Sequence, residues 1–152
     1  MLLLILVADN TAFMINKYIS FVDFAVLAAV WLIIKGERTK GYVFMFVLCI
    51  VRDSFYPNVP PLNTASGLGM VVVVTFLDQL MYKDDFRTKI FMFFSGAFVY
   101  QIIKSLLSWI SYWEGKVYFI NLFPLVKVFF TVLMAAVLIK GFEIFRQPGK
   151  KI

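Results

Sequence analysis

Apolar residues in this chain fall on consecutive positions, as in Val71-Val72-Val73-Val74, and gather into runs parted by short polar stretches. Consecutive apolar positions in runs of this length predict helices, and they argue against the strict alternation of a membrane β-barrel. One stretch interrupts the pattern at length. Residues 52–69, RDSFYPNVPPLNTASGLG, open on the charge pair Arg52-Asp53, contain Pro57, Pro60 and Pro61, and close on Gly67-Leu68-Gly69. Proline cannot continue a helix and pushes its predecessor into extended backbone, so the stretch predicts a structured connection between two helical halves.

Six helical segments follow from the runs: residues 1–18, 21–34, 42–51, 67–82, 90–113 and 117–140. The first is short and carries Asp9-Asn10 near its middle. The second is also short and is expected to borrow Ile19 and Ser20 at its start. The third, at ten residues, would rise only about 15 Å, so it must recruit part of the break or lie partly re-entrant. The last two are long enough to span a bilayer with tilt.

Composition then decides what surrounds the helices. Hydrophobic residues make up 62% of the chain and the mean hydropathy is +0.87, against roughly 45–50% apolar residues in an ordinary soluble domain. The expectation is an all-α integral membrane protein of about six transmembrane helices, with residues 1–152 forming a single transmembrane domain. The single Cys49 lies in an apolar run and there is no His. That excludes intrachain disulfides, Cys/His metal clusters and His-based triads. No catalytic, cofactor or metal site is expected, and Asp84-Asp85 reads as a solvated turn between Lys83 and Arg87. Residues 1–7 lack a basic leader and a small-residue cleavage site, so they read as the start of a retained span.

Ten of the 15 Lys and Arg fall on one side: Lys35, Arg38, Lys40, Lys83, Arg87, Lys89, Lys140, Arg146, Lys150 and Lys151. The other side receives Lys17, Arg52 and Lys116, with Lys104 and Lys127 inside candidate spans. Cations are retained on the cytoplasmic face, so both termini are expected there and the break faces outward. The net charge of +6 is thus explained by topology, without nucleic acid. Tyr112, Trp113 and Tyr118 flank the short outer turn, where amphipathic rings meet headgroups.

The segment VDFAVLAAVWLIIKGERTKG, residues 22–41, followed by an apolar run closing on Asp53 and then by Gly67-Leu68-Gly69, resembles the MreD family of bacterial rod-shape membrane proteins. In that family a Pro-Asp opens the second span, a basic pair with Gly closes it, and a later Asp precedes a small-residue turn ending in Leu-Gly. Asp23, Lys35-Gly36, Asp53 and Leu68-Gly69 match; Val22 stands in place of the proline, and the connection after Asp53 is long and Pro-rich. The resemblance implies a six-helix fold similar to the substrate-binding S component of energy-coupling-factor transporters. It also implies a non-catalytic scaffold in the bacterial cytoplasmic (inner) membrane, a partner of the single-span MreC within the elongation complex of MreB, RodA and the elongation transpeptidase, serving peptidoglycan synthesis and cell shape. Anionic lipid is the further partner expected from the cytoplasmic cations.

Polar residues within spans cost several kcal/mol unless paired or facing a cavity, which singles out Asp9, Asp78, Lys104 and Lys127. Lys104 and Lys127 fall at a similar depth, so they face an anionic or aqueous pocket, snorkel, or pair with Asp9 or Asp78. Asp23 at a helix start reads as a cap. Asp53, at a helix end, reads as a partner of Arg52 or of the Asn63 and Thr64 backbone. Gly96 and Ala135 permit close helix approach, chiefly as internal packing and otherwise as a partner-binding face. The alternative function is small-molecule binding, as in a vitamin transporter's S component, since an aromatic content of 18% with seven Tyr suits a stacking pocket; 18 Phe read instead as packing.

Overall fold

A computed structural model describes residues 22–54, 60–81, 85–111 and 123–146. These residues form five helices: α1 (Phe24–Ile34), α2 (Arg38–Ser54), α3 (Leu62–Leu80), α4 (Phe86–Ser111) and α5 (Phe123–Arg146). The expected first span, with Asp9, lies outside the described residues, as does the aromatic outer turn. The helices run alternately up and down. Contacts from Arg38 to Asp78 and from Asp53 to Asn63 set α2 against α3, and Lys89 to Glu143 sets α4 against α5.

α1 sits at the centre and packs on all four other helices. It is apolar around its whole circumference, and Ala25, Val26, Leu27, Ala29, Val30, Ile33 and Ile34 are buried, as such a helix requires. Its start is Phe24, because Asp23 caps it with Oδ1 facing the Val26 amide at 3.5 Å. Ile19 and Ser20, which the second segment was expected to borrow, lie outside the described residues. α1 ends in a Schellman turn, Glu37 N–H donating to Leu32 O and Gly36 N–H to Ile33 O, with Gly36 at φ +83°. Eleven residues rise about 16 Å, so α1 is a central plug about half the thickness of a bilayer core.

The third segment does recruit residues at both ends, reaching 17 residues in α2. The fourth starts five residues earlier than the apolar run, inside the break. Pro61 occupies the N-cap position and Leu62 follows as the first helical residue. A proline is tolerated there because the first N–H groups of a helix have no intrahelical acceptor. Gly67-Leu68-Gly69 consequently lies within α3 and does not open it.

The two glycines face opposite neighbours. A Cβ on Gly67 would meet Cys49 Sγ of α2 at 2.7 Å, and one on Gly69 would meet Ile103 Cδ1 of α4, while Leu68 between them is exposed. α3 is thus held between α2 and α4 at van der Waals limits. Gly96 similarly lets α4 approach Val74 of α3 and Val30 of α1, and Ala135 of α5 is buried. Both small residues are buried in packing between the helices.

Residues 86–110 and 124–143 are long and apolar enough to cross a membrane, yet only 28% and 22% of their windows are buried within the chain. Val72, Leu80 and Phe129 stand 68%, 67% and 64% exposed, whereas Asp23, Ser66, Asp78, Gln101 and Thr131 are buried. Large exposed apolar side chains beside buried polar groups are the two informative departures from an ordinary soluble surface.

Candidate functional site

Buried polar groups must be satisfied by partners, and at one end of the bundle the chain assembles those partners from all five helices. Asp23 at the start of α1 donates its backbone N–H to Thr131 Oγ1 of α5 at 3.1 Å. Its Oδ1 receives both terminal nitrogens of Arg52, from the last turn of α2, at 3.4 Å. The same guanidinium donates to Tyr100 O–H of α4 at 3.3 Å, and Tyr100 in turn donates to Asn63 Oδ1 of α3 at 3.1 Å. Lys104, one turn beyond Tyr100, donates to that oxygen at 2.8 Å and lies 5.8 Å from the Tyr100 ring centroid.

Asp53 supplies what Pro61 lacks, a side-chain acceptor for the start of α3. Its Oδ1 accepts from the Asn63 backbone at 3.1 Å and from Asn63 Nδ2 at 2.8 Å; its Oδ2 accepts from the Thr64 backbone at 2.8 Å and from Thr64 Oγ1 at 2.6 Å. A carboxylate here also meets the positive end of the α3 dipole. Asp53 lies beyond the apolar run of α2. Partial burial pushes its carboxyl up, but the hydrogen bonds from Thr64 and Asn63 outweigh that and hold it below the usual carboxylate range. The Asn63 amide is oriented by its neighbours, nitrogen toward the carboxylate and oxygen toward Tyr100 and Lys104.

Asp23 lies within electrostatic reach of Arg52, Lys104 and Lys127 together. Two of the residues singled out by depth, Lys104 and Lys127, are thereby gathered at one end with the capping aspartate. Asp78 is not among them, and the expected ion pair between it and either lysine is overturned. It lies near the opposite end, its side chain closed from solvent, with Arg38 Nε and a terminal guanidinium nitrogen at 2.8 and 2.7 Å from Oδ2. One turn inward Tyr42 and Thr75 share a 2.8 Å hydrogen bond between α2 and α3. That end also carries Lys35 over Trp31 and Phe142, at 5.0 and 5.6 Å from their centroids, and Lys140 over Phe86 at 5.7 Å.

Arg52 as partner of Asp23, Tyr100 and the side chain of Asn63 escaped sequence reading. Their signal was faint: Tyr100 and Lys104 stand at i and i+4, on one helix face, in an otherwise apolar run. Between the polar ends, α2 and α3 part around an apolar groove of about 250 Å³ lined by Tyr42, Met45, Phe46, Cys49, Gly67 and Leu68 among others. Among the described residues no group of three or more His, Cys, Asp or Glu could hold a metal ion.

These features define a class: among the described residues, an all-helical bundle with an apolar core, a few buried polar groups, large exposed apolar side chains, and two helices long and apolar enough to cross a membrane. No family model, curated protein or solved structure matches this chain.

Proposed function

We propose that this chain is a multi-pass, non-catalytic scaffold of the bacterial cytoplasmic membrane, of the MreD type, that binds the single-span MreC and so joins the elongation machinery of MreB, RodA and the transpeptidase. The observation that supports a membrane subunit is the distribution of residues, with Val72, Leu80 and Phe129 outside and the Asp23, Arg52, Tyr100, Asn63 network within.

The residues that carry the MreD resemblance also sit where physical constraints act. Asp23 caps α1 and receives Arg52, Gly36 adopts a left-handed backbone, Asp53 caps α3 from α2, and Gly69 is pressed on Ile103. A likeness confined to such positions is what a shared fold would preserve. The groove between α2 and α3 is smaller than the roughly 300–1,000 Å³ of ligand pockets and almost wholly apolar, so this groove by itself does not favour the vitamin-binding alternative.

Affinity purification of the tagged chain from mild detergent, with mass spectrometry of co-purifying proteins and small molecules, tests the reading. Recovery of a single-span periplasmic partner with cell-wall synthases is the expected result. Recovery of paired ATPases and a vitamin would replace the scaffold by a transporter subunit.

A further inference from the structure

The helices around α1 form an arc that does not close. α2 packs on α3, α3 on α4 and α4 on α5, while among the described residues α2 and α5, at the two ends of the arc, form no comparable contact. The surface of α1 shows the same opening. Phe24, Ala28, Trp31 and Leu32 are the residues of this helix that stay partly exposed, and at i, i+4, i+7 and i+8 they share one face. To one side of that face Ala29 and Ile33 meet Gly41 of α2; to the other Trp31 stacks on Phe142 of α5; Val30, on the far side, meets Gly96 of α4. At about 100° per residue, Ala28 and Leu32 therefore stand between α2 and α5. The flanks are apolar. Met134, Leu138 and Phe142 recur at i, i+4 and i+8 on α5, and Val47 stands on the side of α2 away from Tyr42 and Cys49, which meet α3; all four are exposed.

The chain itself enters α1 at this opening. The Asp23 backbone N–H is held by Thr131 of α5 and its carboxylate by Arg52 of α2, so Val22 leads away from between the two helices that flank the gap. Residues 1–21 precede it. The first apolar run, residues 1–18, would rise about 27 Å as a helix, enough to cover the open face of α1 from end to end. The link that remains, residues 19–22, is short, and short links between helices return the chain antiparallel beside its neighbour. Two features of the run favour a protein seat over lipid. Asp9 and Asn10 near its middle are costly to leave standing alone in hydrocarbon, and Ala8 and Ala12, at i and i+4, permit from one side the close approach that Ala28 permits from the other.

We propose that the opening between α2 and α5 is the docking face for residues 1–18 of this chain, which run antiparallel to α1 against Phe24, Ala28, Trp31 and Leu32 and close the arc into a ring of five helices around it. α1 then has a protein neighbour on every side, as a helix apolar around its whole circumference requires. The groove at Cys49 and Gly67 lies on the other side of α2 and takes no part. This inference requires the helical membrane setting but not the partner reading above.

Disulfide mapping of the full chain in its membrane tests it. Ala28→Cys is combined with cysteines placed one at a time at residues 8–15, the native Cys49 is kept, and the peptides linked on oxidation are identified by mass spectrometry. Links to position 28 should recur every three or four residues, since one face of a docked helix meets α1. Leu32→Cys should link about four residues nearer the N-terminus than Ala28→Cys does, because the segment runs antiparallel. Links to Cys49, or to Val72→Cys on the exposed face of α3, in place of positions 28 and 32 would seat the segment over the α2 and α3 groove and overturn the proposal. So would links at position 28 between two copies of the chain, or links without helical period. Melting in detergent gives a measure independent of oxidation. Ala28→Leu should lower the midpoint by about 5 °C, because a docked helix leaves no room for the added carbons, while Val72→Leu should melt as the parent does. An Ala28→Leu chain as stable as the parent would mean that lipid, which yields to a larger side chain, fills the opening.

Discussion

Replacing Arg38 by Met removes a guanidinium from a carboxylate that solvent does not reach, whereas replacing Asp78 by Asn removes charge from a site whose cation can turn to water. The Asp78 side chain is 0% exposed and that of Arg38 is 38% exposed, with both nitrogens near 2.8 Å from one oxygen. Breaking a fully buried pair from one side costs about 3–5 kcal/mol, and the exposure of Arg38 reduces this to about 2–3 kcal/mol for Arg38→Met. Asn at position 78 can still accept from the guanidinium, so Asp78→Asn should cost about 1 kcal/mol. The double variant Arg38→Met with Asp78→Leu should cost less than Arg38→Met alone, because no charge is then left buried. The chain carries its own reporter for the assay: Cys49 is the single cysteine and is buried, so labelling by a thiol-reactive dye during heating in detergent follows unfolding. An Asp78→Asn variant as unstable as Arg38→Met, or more so, would refute the asymmetry and with it the claim that desolvation of Asp78 dominates this end.

Asp53→Ala forfeits four hydrogen bonds at the start of α3 and should cost about 1–2 kcal/mol by the same labelling assay. Because folding lowers the Asp53 carboxyl, its contribution is complete above the unfolded value and lost as pH falls through the folded one, so the melting difference between parent and Asp53→Ala should be constant near neutrality and close in acid. Gly41→Ala would push a Cβ to 2.9 Å from Ile33 Cγ1 and 3.1 Å from the Ala29 carbonyl, which backbone cannot easily yield; a loss of about 1–3 kcal/mol is expected. Gly69→Ala meets the tip of the Ile103 side chain, which can rotate, so its melting temperature should fall less than that of Gly41→Ala. Val72→Arg, on the exposed face midway along α3, should deplete the chain from the membrane fraction, as an arginine at a span centre costs about 2.5–3.5 kcal/mol to insert; full recovery in the membrane would mean that this face does not meet lipid.

The helical class and the connection at the prolines were legible because they rest on local pattern: consecutive apolar runs for the helices, and missing N–H groups at Pro57, Pro60 and Pro61 for the break. Helix ends were less so. The start of α3 at Leu62 depends on an acceptor that comes from Asp53, ten residues back and on another helix, and no window of α3 itself contains it. Asp23 as a cap could be read from its own neighbours, but its meeting with Arg52 joins residues 29 apart and Tyr100 enters from 48 further on. Depth alone gathered Lys104 with Lys127. It failed for Asp78, because counting residues along a span does not tell which cation lies beside it, and Arg38 belonged to a segment that was predicted to start only at residue 42.

The same long-range logic explains how a short plug such as α1 is held in a protein whose outer face is apolar. Lipid tails are as apolar as Val or Phe, so burial of apolar surface provides little drive to bring helices together in a membrane. Close packing and polar contacts must do it, and the chain places both where α2 and α3 would otherwise part. Arg38 with Asp78 and Tyr42 with Thr75 close one end, Asp53 with Asn63 and Thr64 closes the other, and Gly67 sets the approach between them. α1 is then tied by Asp23 to Arg52 and Thr131 at one end and by the Trp31 to Phe142 stacking, 5.3 Å between centroids, at the other. Removing the Asp23 carboxylate should therefore do more than lose a cap: it takes from Arg52 the buried oxygen that both its terminal nitrogens meet, and from Lys104 and Lys127 a nearby negative charge, so Asp23→Asn should be more destabilising than Asp53→Asn even though Asp53 makes more hydrogen bonds.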